Sequence, residues 1–399
     1  MKIRSITIFD RLRLPLDQQQ ITTLSRTVNL ATEAFTAAGY EVQTVRVATN
    51  LLSSLSAKDD PVRTVAELEA QCNAAGFEFI ALGPAGDNLP LVPEILQATE
   101  SVFATCRIVS PTTNQIDGQK VRQAARVIKS AAKIADGFGN LRFAALANVG
   151  PGIPFFPAAY WEGATPAFAI ATQSADLAVE ATTTSADAAE AHGRLKHLVE
   201  THGQRLQSVA GTFADQHRVP FLGTDFSLAP FPGDDCSIGA ALEALTGRPL
   251  GEPGSLAAAA VLTDAVQQAD FRKAGFCGLM MPVLEDSVLA RRAAEGRLRI
   301  AELLQWSAVC GTGLDTVPIP GDAGEEAIAG LLFDVAALSI RANKPLTARL
   351  MPLPGKVAGD PVHFDFAYFA DGGVLALGEG GDGPLAATPA LGLSAYHRQ

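Results

Sequence analysis

Residues 2–9 set Ile3, Ser5 and Thr7 against Ile6 and Ile8, a period of two that predicts a strand. Leu24, Val28, Ala31 and Phe35 then recur at helical spacing, and Gly39 stands where a helix stop belongs. Alternation returns over 40–47, and the apolar run 77–82 before Gly83-Pro84 reads as a buried strand. A helix is expected over 92–104, a short strand over 106–109, a helix over 118–135 with Val121, Ala125, Ile128 and Ala132 on one face, and a strand over 141–147. Downstream, strands are predicted at 168–172, 221–228, 276–283, 346–351 and 364–369. Helices are predicted at 185–217, 237–245, 256–273, along the stripe Ile300, Leu303, Leu304 and Ala308, and at 326–342. Strands alternating with helices imply an α/β fold, a largely parallel sheet with helical crossovers, open or closed. No repeat and no low-complexity linker divides the chain, so residues 1–370 read as a single α/β domain, and 371–399 as a Gly/Pro-rich tail, loosely tied.

Composition narrows the function classes. Of 399 residues, 48% are hydrophobic and 18% charged, which suits a well-buried globular protein. A net charge of -11 and the lack of any Lys/Arg run argue against a nucleic-acid partner. No apolar run reaches membrane-spanning length, and the start, MKIRSITIFDRLRLP, is interrupted too soon for a secretion signal. The five cysteines form no Cys-x-x-Cys pair, so the expected setting is a reduced cytoplasm. Histidines 192, 197 and 202 are spaced by five, about 140° apart around a helix, and do not share a face. There is no Walker A loop, no Gly-x-Gly-x-x-Gly after the first strand, no His-Glu-x-x-His and no nucleophile elbow, so no nucleotide cofactor is indicated. A homo-oligomer is compatible with so apolar a chain.

Candidate chemistry gathers between residues 275 and 322. Cys310 precedes Gly-Thr-Gly, a turn able to expose a thiol, with Asp315 and Asp322 in the loop beyond; a buried structural cysteine with capping carboxylates is the alternative. Glu285 and Asp286 follow an apolar strand-like run, where adjacent carboxylates suit acid–base work, a hard cation or a helix cap. Asp225 lies in a strand between Phe221, Leu222, Phe226 and Leu228, and a charge there is costly unless paired or bound. Thr347 and Arg349 share one face of a short strand flanked by Lys344, the setting for a salt bridge or a substrate carboxylate. The Pro/Gly-dense stretch 148–161 places Phe155, Phe156, Tyr160 and Trp161 in a loop, either pinned by its aromatics or forming a pocket wall.

Six strings carry a family resemblance: MKIRSITIF, FAALANVGPGIPFFPAAY, GTDFSLAP, GFCGLMMPVLEDSVLARRAAEG, LQWSAVCGTGLDTVPIPGD and KPLTARLMPLPGK, spread from Met1 to Lys356. The chain resembles the bacterial and archaeal domain of unknown function 711 family, related to uncharacterised protein family 0210. The resemblance implies a ten-stranded barrel like that of pyruvate formate-lyase and ribonucleotide reductase, built from two half-barrels with helices outside and a central loop. By that analogy Cys310 would sit on the central loop. The chain lacks the C-terminal Arg-Val-x-Gly-aromatic string of glycyl-radical enzymes and the Cys-Cys pair of formate lyases, which argues against radical chemistry. The expectation is a barrel enzyme of lyase, hydrolase or isomerase type acting on a small anionic or polar metabolite. Cys310, Asp315, Asp225 and Glu285 would be catalytic, and Arg349, Lys344 and Thr347 would hold substrate. A divalent cation would be held by residues drawn from Asp225, Glu285, Asp286 and Asp322. The alternative is a metabolite-binding or regulatory protein without turnover.

Overall fold

The structure is a computed structural model and describes residues 1–396. Its strands are β1 (Lys2–Phe9), β2 (Val45–Ala48), β3 (Phe79–Pro84), β4 (Val102–Arg107), β5 (Gln115–Asp117), β6 (Phe143–Ala147), β7 (Ala167–Gln173), β8 (Phe221–Ala229), β9 (Gly313–Pro320) and β10 (Leu346–Leu353). All but β5 join one nine-stranded sheet, ordered β8-β7-β1-β2-β3-β4-β6-β10-β9. β1, β2, β3, β4 and β6 run parallel. β7 and β10 each pair antiparallel with that block, and β8 and β9 run parallel to them, so the sheet consists of two parallel sets pointing opposite ways.

Alternation along the strands separates two apolar layers. Ile3, Ile6, Ile8, Val47, Ile80 and Ala104 face the helices and share one large core with Val28, Val121, Leu262 and Leu332. Phe9, Ala48, Ala81, Phe103 and Ala169 take the opposite face and pack with Phe156 and Ala159 from the 148–161 loop. That loop therefore runs along the inner face of the sheet. Tyr160 is buried there and its hydroxyl donates to the Val149 carbonyl at 2.8 Å.

Four predicted elements differ, the first being the loop expected to hold Asp315, which is strand β9. The helix expected over 92–104 spans only Val92–Gln97, because Glu69 accepts from the Glu100 and Ser101 amides and turns the chain into β4. Residues 276–283 are not a strand. Gly275 and Cys277 have φ of 73° and 42°, which breaks the pleat, and Gly278 packs against Gly311 so closely that a Cβ would come within 2.9 Å of its Cα. The longer stretch 272–283 nevertheless makes parallel bridges to both sheet edges, Lys273 with Thr224 on β8 and Pro282 with Asp315 on β9. Residues 364–369 form a loop between the short paired strands Pro361–Val362 and Gly372–Gly373; their alternation reflects aromatics turned inward from a loop. The tail is tied in as far as it is described: Val374 and Leu375 are buried and Ala390–Gly392 pairs with β5, while 397–399 lie outside the described residues.

Candidate functional site

A cavity of about 220 Å³ opens on the inner face. Its lining comes from the N-terminal ends of β1–β4 and β6 (Arg4, Arg46, Phe79, Phe103, Arg142) and from the C-terminal halves of β7 and β8 (Thr172, Asp225, Ser227). Because the two strand sets run oppositely, one end of the sheet collects both kinds of terminus. Phe155, Phe156, Glu285, Arg349, Phe366 and Tyr368 complete the walls. The 148–161 loop is thus pinned by its aromatics and also a wall.

The charged residues sit where strand pairing slips. Arg4 is the extra residue between the Ile3–Thr172 and Ser5–Ala171 pairs. Arg349 lies opposite both Asp315 and Thr316, between the Ala348–Leu314 and Leu350–Val317 pairs. β8 slips against β7 after Asp225. Bulges of this kind re-aim a side chain that regular pleating would send to the helix layer.

Four of these groups form a buried ionic chain. Arg4 Nη2 donates to Glu285 Oε2 at 2.5 Å, Arg349 Nη2 to Glu285 Oε1 at 2.8 Å, and Arg349 Nε to Asp315 Oδ1 at 2.5 Å. Glu285, Asp315 and Arg349 are 3%, 1% and 4% exposed. Burial raises Asp315 to about 6 against the pull of Arg349, and its Oδ2 has no hydrogen-bond partner. Asp225 stands apart from this chain. It is 2% exposed and accepts from Ser227 Oγ, from Phe276 N at 3.1 Å and from Cys277 N at 3.1 Å. Burial pushes its carboxyl up to about 6, and the three donors pull it back only in part. Gly275 is obligatory beside it, since a Cβ there would lie 2.0 Å from Asp225 Oδ2.

A family model described as "Uncharacterised ACR (DUF711)" matches residues 1–367. The chain belongs to the DUF711 family. A "UPF0210 protein" of Pyrobaculum arsenaticum is 36% identical over 275 residues, covering 67% of this chain and 60% of that one. A "UPF0210 protein" of Pyrobaculum islandicum is 31% identical over 370 residues, 87% of this chain and 81% of its own length. One from Lacticaseibacillus casei is 32% identical over 300 residues, 72% and 64% of the two chains. The match to the Pyrobaculum arsenaticum relative thus spans under two thirds of that protein, and none of these names states an activity.

Of the residues singled out in this DUF711 chain, Asp225, Glu285 and Arg349 line the cavity, and Asp315 lies directly behind Arg349. Cys310 does not line it. It is fully buried in the helix-side core, so the central-loop position drawn by analogy is corrected. Lys344 Nζ donates to the carbonyls of Ser307 and Cys310 at the end of the helix Ile300–Ser307, a C-terminal cap. Thr347 Oγ1 donates to Thr312 O at 3.0 Å, and the bulge between Ala348 and Leu350 separates it from the direction Arg349 takes. Asp286 caps two helices: it accepts from Val288 and Leu289 in one, and from Ile238, Gly239 and Ser237 in the other. Asp322 is exposed in a turn. The four metal candidates are therefore dispersed, and no group of three or more His, Cys, Asp or Glu side chains able to hold a metal ion occurs among the described residues. All five cysteines are free and buried. Among the described residues no helix is long and apolar enough to cross a membrane.

Sequence reasoning missed Arg4, Arg46 and Arg142. Each lies in or beside an apolar strand, IRSI, VRVA and LRFA, the same signal that drew attention to Asp225 and Arg349.

Proposed function

We propose that this chain is an enzyme of lyase, hydrolase or isomerase type that acts in the cytoplasm on a small anionic or polar metabolite bound in the central cavity. The observation that carries this reading is Asp225, a buried carboxyl that lines an apolar, arginine-rich cavity and is pushed up to about 6 by that burial. A carboxyl so placed suits proton transfer near neutral pH. Arg349, Arg4, Glu285 and Asp315 form a rigid charged wall beside it, in which the saturated Glu285 positions the two guanidinium groups and leaves Asp225 as the proton carrier. The barrel belongs to this proposal. The bridges that residues 272–283 make to β8 and β9 support a closed ring in which this irregular segment is the tenth member, five running each way. The self-paired ionic wall also suits a metabolite-binding protein without turnover, the second reading.

Incubating the purified chain with pooled small carboxylates and polar metabolites, and following product by mass spectrometry, tests the first reading. A compound consumed by the wild type should be left intact by Asp225→Asn, at a rate lower by about two orders of magnitude or more, while still binding. Binding with no product from any ligand would leave only the second reading.

A further inference from the structure

Among the described residues, Arg46 is the cavity-lining cation without a carboxylate or carbonyl partner. Its guanidinium is stacked between two rings, with Cζ 5.3 Å from the Phe79 centroid and 5.1 Å from that of Phe156. Its one side-chain hydrogen bond runs from Nε to Thr44 Oγ1 at 2.9 Å. Neither Nη meets an acceptor among the described residues, although Arg46 lines the cavity. The other three arginines are engaged: Arg4 and Arg349 with carboxylates, and Arg142 with the carbonyls of Leu96 and Thr99 at 2.7 and 2.8 Å. Burial lowers the Arg46 guanidinium to about 9 and Arg4 adds repulsion, against the pull of Glu285 and Glu78, so it stays charged at neutral pH without a paired carboxylate among the described residues.

We infer that Arg46 receives the carboxylate of a ligand that carries one negative charge and an apolar, aromatic-sized body. The planar fork matches a carboxylate in a bidentate contact, and the flanking rings hold the fork in one orientation. A single charge is specified because the remaining basic groups are already neutralised or held on carbonyls, and the ionisable Asp225 stands in the same cavity. The body is specified by the apolar part of the wall, where Phe103, Phe155, Phe156, Met280 and Phe366 stand beside the polar Glu100, Thr172 and Ser227. This inference rests on reading the cavity as a metabolite site and adds the class of ligand and the residue that selects it.

Phenylacetate is the probe, compared with phenylacetamide, which has the same body without charge, and acetate, which has the charge without the ring. With the full chain at neutral pH, phenylacetate should raise the melting temperature while the other two leave it unchanged. Arg46→Gln should weaken phenylacetate binding at least about ten-fold, the loss of about 1.4 kcal/mol, while Asp225→Asn keeps it. Should Arg46→Gln not fold, phenylglyoxal labelling of the wild type gives an independent reading. Phenylacetate should shield Arg46 and leave the exposed Arg63 labelled. Equal stabilisation by acid and amide, no stabilisation by phenylacetate, or unshielded Arg46 would each overturn the inference. If a different metabolite then binds and turns over, the enzymatic reading stands without it. If phenylacetate binds through Arg46 and none of the pooled metabolites gives product, the ligand class stands and the enzymatic reading falls.

Discussion

Asp225 and Asp286 are both buried aspartates raised by burial, and their surroundings give them different work. Asp286 takes five donors and closes two helix ends, whereas Asp225 takes three and lines a cavity. The pH dependence of stability exposes the difference. A carboxyl raised from 3.8 to about 6 in the folded state binds its proton more tightly there than in the unfolded chain. Its contribution is complete below pH 3.8 and is lost as pH rises through about 6. The wild type minus Asp225→Asn difference in unfolding free energy should therefore fall by about 2 kcal/mol between pH 4 and pH 7, measured by urea denaturation. A flat difference would show that the carboxyl binds its proton equally well in the folded and unfolded chains. At this scale the rule that a charge inside an apolar strand demands a partner picked out Asp225 and Arg349 from the sequence, and applied to every arginine it would also have found Arg4 and Arg46. The same residue-level reading failed for Cys310, because a Gly-rich turn permits exposure without requiring it, and here the turn packs inward.

Among the elements, the helices were legible because a 3.6-residue stripe needs only one apolar neighbour layer to be satisfied, and helices such as Ala188–His217 and Glu325–Ala342 lie within a few residues of their predicted bounds. The misread segments are those shaped by contacts from elsewhere. Glu69 stops one helix, the Gly278–Gly311 approach bends 276–283, and the cluster of Phe138, Phe364, Phe366 and Phe369 imposes alternation on a loop. The pair Glu285-Asp286 shows the limit of element-level reading. One residue enters the cavity wall and the next caps the helix Ser287–Ala294, a division that adjacency alone does not reveal. Asp286→Ala should cost about 3 kcal/mol or more, since it uncaps two helices and leaves buried amides unpaired, and amide exchange should quicken at Val288, Leu289, Ile238 and Gly239. Unchanged thermal stability would mean that other groups satisfy those amides.

Across the molecule, the strand order decides which charges meet. Arg4, Glu285, Asp315 and Arg349 come together because β1 and β10 occupy positions on opposite sides of the β2–β6 block and the 272–283 segment touches both sheet edges. The result is an arginine-lined cavity within a chain of net charge -11, a contrast that bulk composition conceals. If that segment closes a barrel, neither half of the sheet has a free edge and the two should not unfold separately. Scanning calorimetry should then show one transition whose calorimetric and van't Hoff enthalpies agree; two resolved transitions would divide the molecule into independent halves.

The sequence by itself determined the α/β class, most of the helices and strands and the family, because periodicity and near-contiguous motifs are local properties that each segment carries with it. It also located Asp225 and Arg349 through the cost of burying charge, and Glu285 through its place at the end of an apolar run. Only the tertiary structure decided that Glu285 is held by two arginines, that Arg46 is left without a carboxylate, and that Cys310, Lys344 and Thr347 stay out of the cavity. Those outcomes depend on strand order and on single-residue bulges, and a one-residue slip in pairing reverses the face a side chain takes without altering the period that a sequence displays.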